Sequence, residues 1–225
     1  MNEILLLIEI VGTFSIIVLA NKLFGKAGLF AWMGIASILA NIQVCKSVDL
    51  FGISGTLGNV MFASTFLATD ILSECYGKKD AKKGVYIGLF AIGVYLACTQ
   101  LSLVYRPNTL DTVQTSMLGL FKLAPRVCLS SVTMFFLANI LDVHLYNKLK
   151  DKFKGNKMWL RNNISTVVCN CLENFGFVLL AFGGVFPFKE VIAIAISTSL
   201  IEMLVALCDT PFLYLAKGRF RCTKS

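Results

Sequence analysis

Charged residues are scarce in this chain. Only 15% of its 225 residues are Asp, Glu, Lys or Arg, whereas about a quarter of an ordinary soluble domain is charged. Hydrophobic residues make up 56% of the sequence. This composition excludes a domain that mostly faces water. The sequence therefore predicts an integral membrane protein, with the lipid bilayer as its first partner.

The motifs of several enzyme and metal-protein classes are also missing. Gly77, Lys78 and Lys79 lack the upstream glycine and the Ser or Thr of a Walker A phosphate loop, and there is no HExxH zinc motif. The eight cysteines lack the paired spacing of a zinc site or a secreted disulfide framework. We therefore predict no metal, no cofactor and no enzymatic activity.

One short motif keeps an enzymatic alternative open. Gly52-Ile53-Ser54-Gly55 matches the GxSG pattern of intramembrane serine proteases, and His144, the single histidine, could supply the base. Four-residue motifs arise by chance, and this one lies in a polar Gly-Ser turn. A serine hydrolase built on Ser54 is therefore kept as an alternative only.

Seven apolar runs are long enough to cross the hydrocarbon core, which takes about 17 to 25 helical residues. They are Ile4–Ala20, Ala27–Val44, Thr56–Cys75, Gly84–Tyr105, Ala124–Leu145, Ile164–Phe186 and Glu190–Tyr214. Met1-Asn2-Glu3 carries no basic n-region, so we expect the first run to remain as a span rather than be cleaved. The sequence predicts an all-α polytopic membrane helix bundle of about seven transmembrane helices, in one domain, 1–225.

Lysines and arginines lie in short clusters between these runs. They do not line an aromatic-studded face, so no nucleic acid is expected as a partner. With the N-terminus outside, the inner loops and tail hold 16 basic residues and the outer loops hold 5. The positive-inside rule then predicts a multi-pass protein with its N-terminus outside and its C-terminus in the cytoplasm.

Acids and amides recur inside four of the predicted spans. At 100° per residue, the groups that share a helix face are Asn59, Phe66, Asp70, Glu74 and Gly77 in the third span, Asn139, Asp142 and Tyr146 in the fifth, Thr166, Asn170, Glu173 and Asn174 in the sixth, and Glu202 and Asp209 in the seventh. Carboxylates are costly in lipid and persist where a partner, water or a ligand meets them. We expect a shared polar interior, with Asp70 as a better ligand candidate than Glu74, which lies at the inner boundary.

The chain resembles the queuosine precursor transporter family, also called the vitamin uptake transporter family. The matching pieces are Phe66–Asp70, Glu74 with Tyr76 and Gly77, Ile140–His144 with Asn147, Asn170 with Glu173, and Asp209–Pro211. The resemblance implies a compact bundle similar to the substrate-binding components of energy-coupling-factor vitamin transporters, in a bacterial cytoplasmic membrane. It implies a six-helix core at 27–216, after an extra N-terminal span at 1–26 and before a basic cytoplasmic tail at 217–225.

The implied substrates are 7-deazaguanines: queuine and its precursors preQ0 and preQ1, which are used for tRNA modification. A carboxylate accepts the adjacent N1–H and N2–H donors of a guanine-like base, an amide complements its carbonyl edge, and an aromatic ring stacks on it. The candidate substrate-binding residues are Asp70, Asn170, Glu173, Glu202, Phe66, Asn41, Gln43, Asn174, Asp142 and Asp209. Three alternatives stay open at this point: another vitamin or nucleobase as substrate, an energy-coupling ATPase module as partner, and a purely structural membrane subunit.

Overall fold

The computed structural model describes residues 1–44, 46–50, 53–121, 125–154, 156–184 and 187–218. Over these residues the chain is nearly all helical. The helices are α1 (Asn2–Phe24), α2 (Lys26–Gln43), α3 (Asn59–Cys75), α4 (Lys78–Val104), α5 (Gln114–Phe121), α6 (Pro125–Lys152), α7 (Met158–Phe182), α8 (Phe188–Leu207) and α9 (Thr210–Gly218). Two short strands, β1 (Ser47–Leu50) and β2 (Ile53–Thr56), lie between α2 and α3.

Four of the described helices are both long enough and apolar enough to cross a membrane. They are α1, α4, the part of α6 from Leu129 and the part of α7 up to Ala181. A polytopic helical membrane protein is thus confirmed, while the count of seven spans stays a prediction.

The strands form an exception to the predicted all-α fold. They pair antiparallel, with Ser47 opposite Thr56 and Leu50 opposite Ile53. The third predicted span began at Thr56, but α3 begins only at Asn59, after Gly58 with φ of 105°. A Cβ at Gly58 would also lie 3.0 Å from the Ala40 carbonyl oxygen, so this turn requires glycine.

Helix α3 lies at the centre of the bundle. Fifteen of its 17 residues are buried, and it contacts α1, α2, α4, α6, α7, α8 and α9. A polar side chain on α3 therefore meets other helices whichever way it points, which is why its two acids organise the site described below.

The contacts sort the helix ends into two groups. At one end the Asn21 side chain of α1 accepts a hydrogen bond from Tyr76 at 2.9 Å, and Lys26 of α2 lies 3.3 Å from Asp80 of α4. At the other end the Asn2 side chain donates to the Asp49 carbonyl of β1 at 3.0 Å. We call these the basic end and the hairpin end.

Helix α1 packs into the bundle rather than lying apart from it. Ile10, Phe14 and Ile17 are buried in the main core, and the Phe14 and Phe212 rings meet edge to face at 5.4 Å. The span that the sequence treats as extra thus contacts α2, α3 and α9.

The seventh predicted span, Glu190–Tyr214, is two helices instead of one. Helix α8 ends at Leu207, and α9 begins at Thr210 with amides of Phe212 and Leu213 bonded to the Asp209 carbonyl. Pro211 fits here because the first turn of a helix needs no N–H donor at that position. The break leaves Asp209 between two helices.

The connection between α4 and α6 contains the short helix α5. Phe121 packs against Tyr95 of α4, with ring centroids 6.1 Å apart, and its carbonyl accepts a hydrogen bond from Gln100 at 2.7 Å. None of the residues of α5 is buried, so α5 lies on the outside of α4.

Candidate functional site

The polar interior is built on two rows of α7. Residues four apart on a helix lie above one another on one face, and α7 carries two such rows side by side. One is Arg161, Ser165, Cys169 and Glu173; the other is Asn162, Thr166, Asn170 and Asn174. All eight are buried, between α6 and α8. A helix with this pattern turns a polar face to its neighbours rather than to lipid.

The first group of side chains joins α7 to α8. We call it the α7–α8 cluster: Asn170, Glu173, Asn174, Ser199 and Glu202. Asn174 donates to a carboxylate oxygen of Glu202 at 2.6 Å. Within the described residues, one oxygen of Glu173, both amide atoms of Asn170 and the Ser199 hydroxyl have no hydrogen-bond partner. Buried polar atoms are normally satisfied, so these are free to meet a ligand.

The second group is the aspartate cluster: Asp70 of α3, Asp142 of α6 and Asp209 at the α8–α9 break. All three are fully buried. Thr69 donates to Asp142 at 3.1 Å, and Asn162 donates to Asp209 at 2.6 Å. Neither oxygen of Asp70 has a hydrogen-bond partner in the part of the chain that the structure describes.

An apolar contact lies between the two clusters. Phe66 of α3, Ala138 of α6 and Cys169 of α7 form a small buried group. The Cys169 thiol is in electrostatic range of Asp70, Asp142 and Glu173, which places it between the clusters. The aromatic ring of Phe66 thus packs beside Cys169, close to the acids, and its role as a stacking residue stays a prediction.

Glu74, one turn beyond Asp70, has a different environment. Its carboxylate lies 2.8 Å from the Arg161 guanidinium and 3.1 Å from the Lys150 ammonium, and it also contacts Lys217 of α9. The Tyr146 hydroxyl is 3.3 Å away. This carboxylate ties α3 to α6, α7 and α9 at the basic end. It is a structural ion-pair centre and not a free ligand.

Arg161 lies inside the bundle and not in the loop that the sequence predicts for it. The predicted topology includes it among the 16 basic residues of the inner loops and tail, but its side chain is fully buried. The guanidinium lies over the Tyr146 ring, 5.1 Å from its centroid, and pairs with Glu74. The sequence carries one signal for this position: Arg161 precedes Ser165, Cys169 and Glu173 at four-residue intervals, which places it on the same face of α7.

Asn41 and Gln43 do not join either cluster through the contacts the structure shows. The Asn41 side chain donates to the Ser37 carbonyl at 2.8 Å, and Gln43 donates to Glu9 of α1 at 3.3 Å. Glu9 of α1 is thus paired with a residue of α2. Glu9 also lines a cavity of about 10 Å³ at the hairpin end, space for roughly one water molecule.

The residues of the hydrolase alternative lie at opposite ends of the bundle. Ser54 belongs to β2, where its backbone pairs with Asp49 at the hairpin end; its side chain lies outside the described atoms. His144 is exposed on α6, within electrostatic range of Lys78 and Lys82 at the basic end. This separation argues against a Ser54–His144 pair.

Comparison with known proteins identifies the family. The family model described as "Putative vitamin uptake transporter" matches residues 56–216. The chain belongs to the vitamin uptake transporter family. This confirms the resemblance carried by the motifs, and a vitamin uptake transporter is a membrane transporter rather than an enzyme. The matched region contains both clusters, from Phe66 to Asp209.

Several curated proteins are similar to this vitamin uptake transporter. A "Probable queuosine precursor transporter" of Bacillus subtilis (strain 168) is 40% identical over 205 residues, covering 91% of this chain and 90% of that protein. The "Queuosine precursor transporter" of Escherichia coli (strain K12) is 25% identical over 155 residues, or 67% of each chain. A "Probable queuosine precursor transporter" of Haemophilus influenzae is 23% identical over 146 residues, 64% of this chain and 59% of that one. No solved structure matches the chain.

Proposed function

We propose that this chain imports a queuosine precursor, a 7-deazaguanine such as queuine, preQ0 or preQ1, for tRNA modification. The observation that carries the proposal is the α7–α8 cluster, where buried donors and acceptors have no partner in the described protein. The names of the relatives point to the same substrate class.

The chemistry of the cluster suits a guanine-like ring. The free oxygen of Glu173 can accept the N1–H or N2–H donor, and the Asn170 amide offers both a donor and an acceptor for the carbonyl edge. Phe66 supplies a surface for stacking. Glu202, held by Asn174, is a second carboxylate that suits the amine of preQ1.

The remaining candidates take different places in the proposal. Asp70, Asp142 and Asp209 form the side of the site nearest the basic end. Asp70 and Asp142 interact with Cys169, which packs against Phe66, and Asp209 interacts with both of these aspartates. Asn41 and Gln43 stay predictions, since the contacts of Asn41 include Ser37 and Ser131, and Gln43 donates to Glu9. We propose that Asn41 and Gln43 contact the substrate only in a different conformation of the transport cycle.

The membrane arrangement follows from the helices and the charges. We propose seven spans, α1 to α4 and α6 to α8, in a bacterial cytoplasmic membrane, as one domain with the six-helix core at 27–216. The N-terminus lies outside and the tail at 217–225 lies in the cytoplasm. Likeness to energy-coupling-factor components and partnership with an ATPase module stay predictions.

Uptake by a host that lacks its own transporter tests the function. Cells that express the chain should take up labelled preQ0, preQ1 or queuine saturably. Glu173→Gln keeps the side-chain volume but loses the charged acceptor, and a hydrogen bond to a charged group contributes about 1.5 to 3 kcal/mol. We therefore expect uptake to fall roughly tenfold or more.

Glu3→Gln is the matched control, because Glu3 pairs with the N-terminal amine at 3.1 Å, remote from the cluster. Undiminished uptake by both Glu173→Gln and Glu202→Gln would overturn the site. Saturable uptake of a different purine or vitamin, with none of the three deazaguanines, would instead support the alternative substrate class.

A further inference from the structure

The three buried aspartates raise the question of what balances their charge. They approach from separate parts of the fold: Asp70 from α3, Asp142 from α6 and Asp209 from the α8–α9 break. Four of their six carboxyl oxygens have no hydrogen bond of normal geometry among the described residues, although Ser165 and Asp70 both lie close to the Asp142 carboxyl group. A buried carboxylate without a partner is expensive, and it is relieved by a cation or by a proton.

The nearby cations are directed at Glu74 instead. Arg161 lies 2.8 Å from the Glu74 carboxylate, Lys150 lies 3.1 Å from it, and Lys217 contacts its other oxygen. Arg161 also interacts with Asp70, so its single positive charge is shared between Glu74 and Asp70. The aspartate cluster is therefore left with an excess of carboxylates over cations.

The other groups around the cluster do not remove this excess. The titratable or charged groups that interact with Asp70 are Glu74 on its own helix, Asp142 and Tyr146 of α6, Arg161 and Cys169 of α7, and Asp209 at the break. Asp142 and Asp209 also interact with each other. Of these groups only Arg161 is a cation. Among the described residues no cluster of three or more His, Cys, Asp and Glu side chains is arranged to hold a metal ion.

A second, independent observation points to an occupant of this space. Other fully buried polar atoms of the same interior also lack a partner in the described chain: the Asn139 carbonyl one turn before Asp142, the Asn162 carbonyl beside Asp209, and the Thr166 hydroxyl. Asp209 itself lies where the chain is interrupted between α8 and α9.

We propose that the aspartate cluster binds one proton in each transport cycle, so that import is coupled to proton entry. The proton arrives from the outer side and forms an O–H bond on a carboxyl oxygen of Asp70 or Asp142, the other carboxylate accepting a hydrogen bond from it. It leaves to cytoplasmic water when the contacts of Glu74 open at the basic end. This inference rests on the proposed function.

Proteoliposomes test the coupling. The purified full-length chain is reconstituted with valinomycin and equal potassium on both sides, which holds the membrane potential at zero, and labelled preQ0, preQ1 and queuine are used as probes. With the membrane potential at zero, one proton per substrate molecule and an inward gradient of one pH unit should sustain about tenfold accumulation. Asp142→Asn should lose this accumulation more strongly than it loses exchange of labelled for unlabelled probe, since exchange needs no net proton movement.

The control is Asp151→Asn, an exposed aspartate of the same helix, which should accumulate the probe like the wild type. Exchange without any response to the pH gradient would overturn proton coupling and leave the proposed function standing. Accumulation driven by a sodium gradient instead would overturn it in favour of a sodium site. Absence of exchange with all three probes would contradict the proposed function.

Infrared spectroscopy provides a readout that needs no substrate. The wild type should show the carbonyl stretch of a protonated buried carboxyl group, and this band should be lost or shifted in Asp70→Asn or Asp142→Asn. An absent band in the wild type, or a band unchanged in Asp70→Asn, Asp142→Asn and Asp209→Asn, would overturn the proton site even if none of the probes were transported.

Discussion

Asp70 and Glu74 show how far a single side chain can be understood from the sequence. Their spacing correctly placed both acids on one face of a buried helix. The sequence could not settle which acid is neutralised, because Lys150, Arg161 and Lys217 come from three other helices far along the chain. Local periodicity reports the face of a helix, whereas the partners on that face depend on the tertiary fold.

Removing the Glu74 charge should destabilise the protein strongly. Glu74→Gln leaves the fully buried Arg161 without its counter-ion, and breaking a buried pair on one side costs about 3 to 5 kcal/mol. Thermal unfolding of the purified protein in detergent measures the effect. The matched control is Asp80→Asn, whose pair with the half-exposed Lys26 should cost less than about 1 kcal/mol. Equal small shifts for the two variants would contradict a structural role for Glu74.

Helices were predicted well where hydropathy alone decides them and poorly where a polar residue interrupts them. The apolar run from Glu190 to Tyr214 hides the break because Leu207 and Phe212 keep the hydropathy high on both sides of Asp209. Pro211 was the available signal, since proline interrupts the interior of a helix. The hairpin was missed because four-residue strands leave almost no periodic pattern to read.

Helix α1 provides a prediction at this scale. Phe14 is fully buried and packs against Phe212 of α9, so Phe14→Ala leaves a cavity and should cost about 3 to 5 kcal/mol of stability. Leu19→Ala, on the exposed face of the same helix, should change the melting temperature little. Both are measured by thermal unfolding in detergent. If Phe14→Ala melts like the wild type, α1 is an appendage and not a part of the bundle.

The whole molecule has one end rich in basic residues. Lys26 contacts Asp80 there, and Lys217 contacts Glu74, so segments predicted to be cytoplasmic meet at this end. The N-terminus and the hairpin lie at the opposite end. The sequence predicted this grouping from charge alone, because loops of one side share the same bias. It could not predict that the Arg161 side chain is buried in the interior of the bundle.

The orientation of this bundle in the membrane is testable by labelling. In a background without the native cysteines, Asn108→Cys in the outer loop and Asp151→Cys at the end of α6 each expose one thiol, since both residues are exposed. The loops and tail predicted to be cytoplasmic hold 16 basic residues, one of them the buried Arg161, and the predicted outer loops hold 5. The positive-inside rule therefore predicts that Asp151 lies in the cytoplasm. A membrane-impermeant maleimide should therefore label Asn108→Cys in intact cells and Asp151→Cys only after permeabilisation. The reverse pattern would show that the protein has the opposite orientation. The proton would then have to enter the aspartate cluster from the basic end.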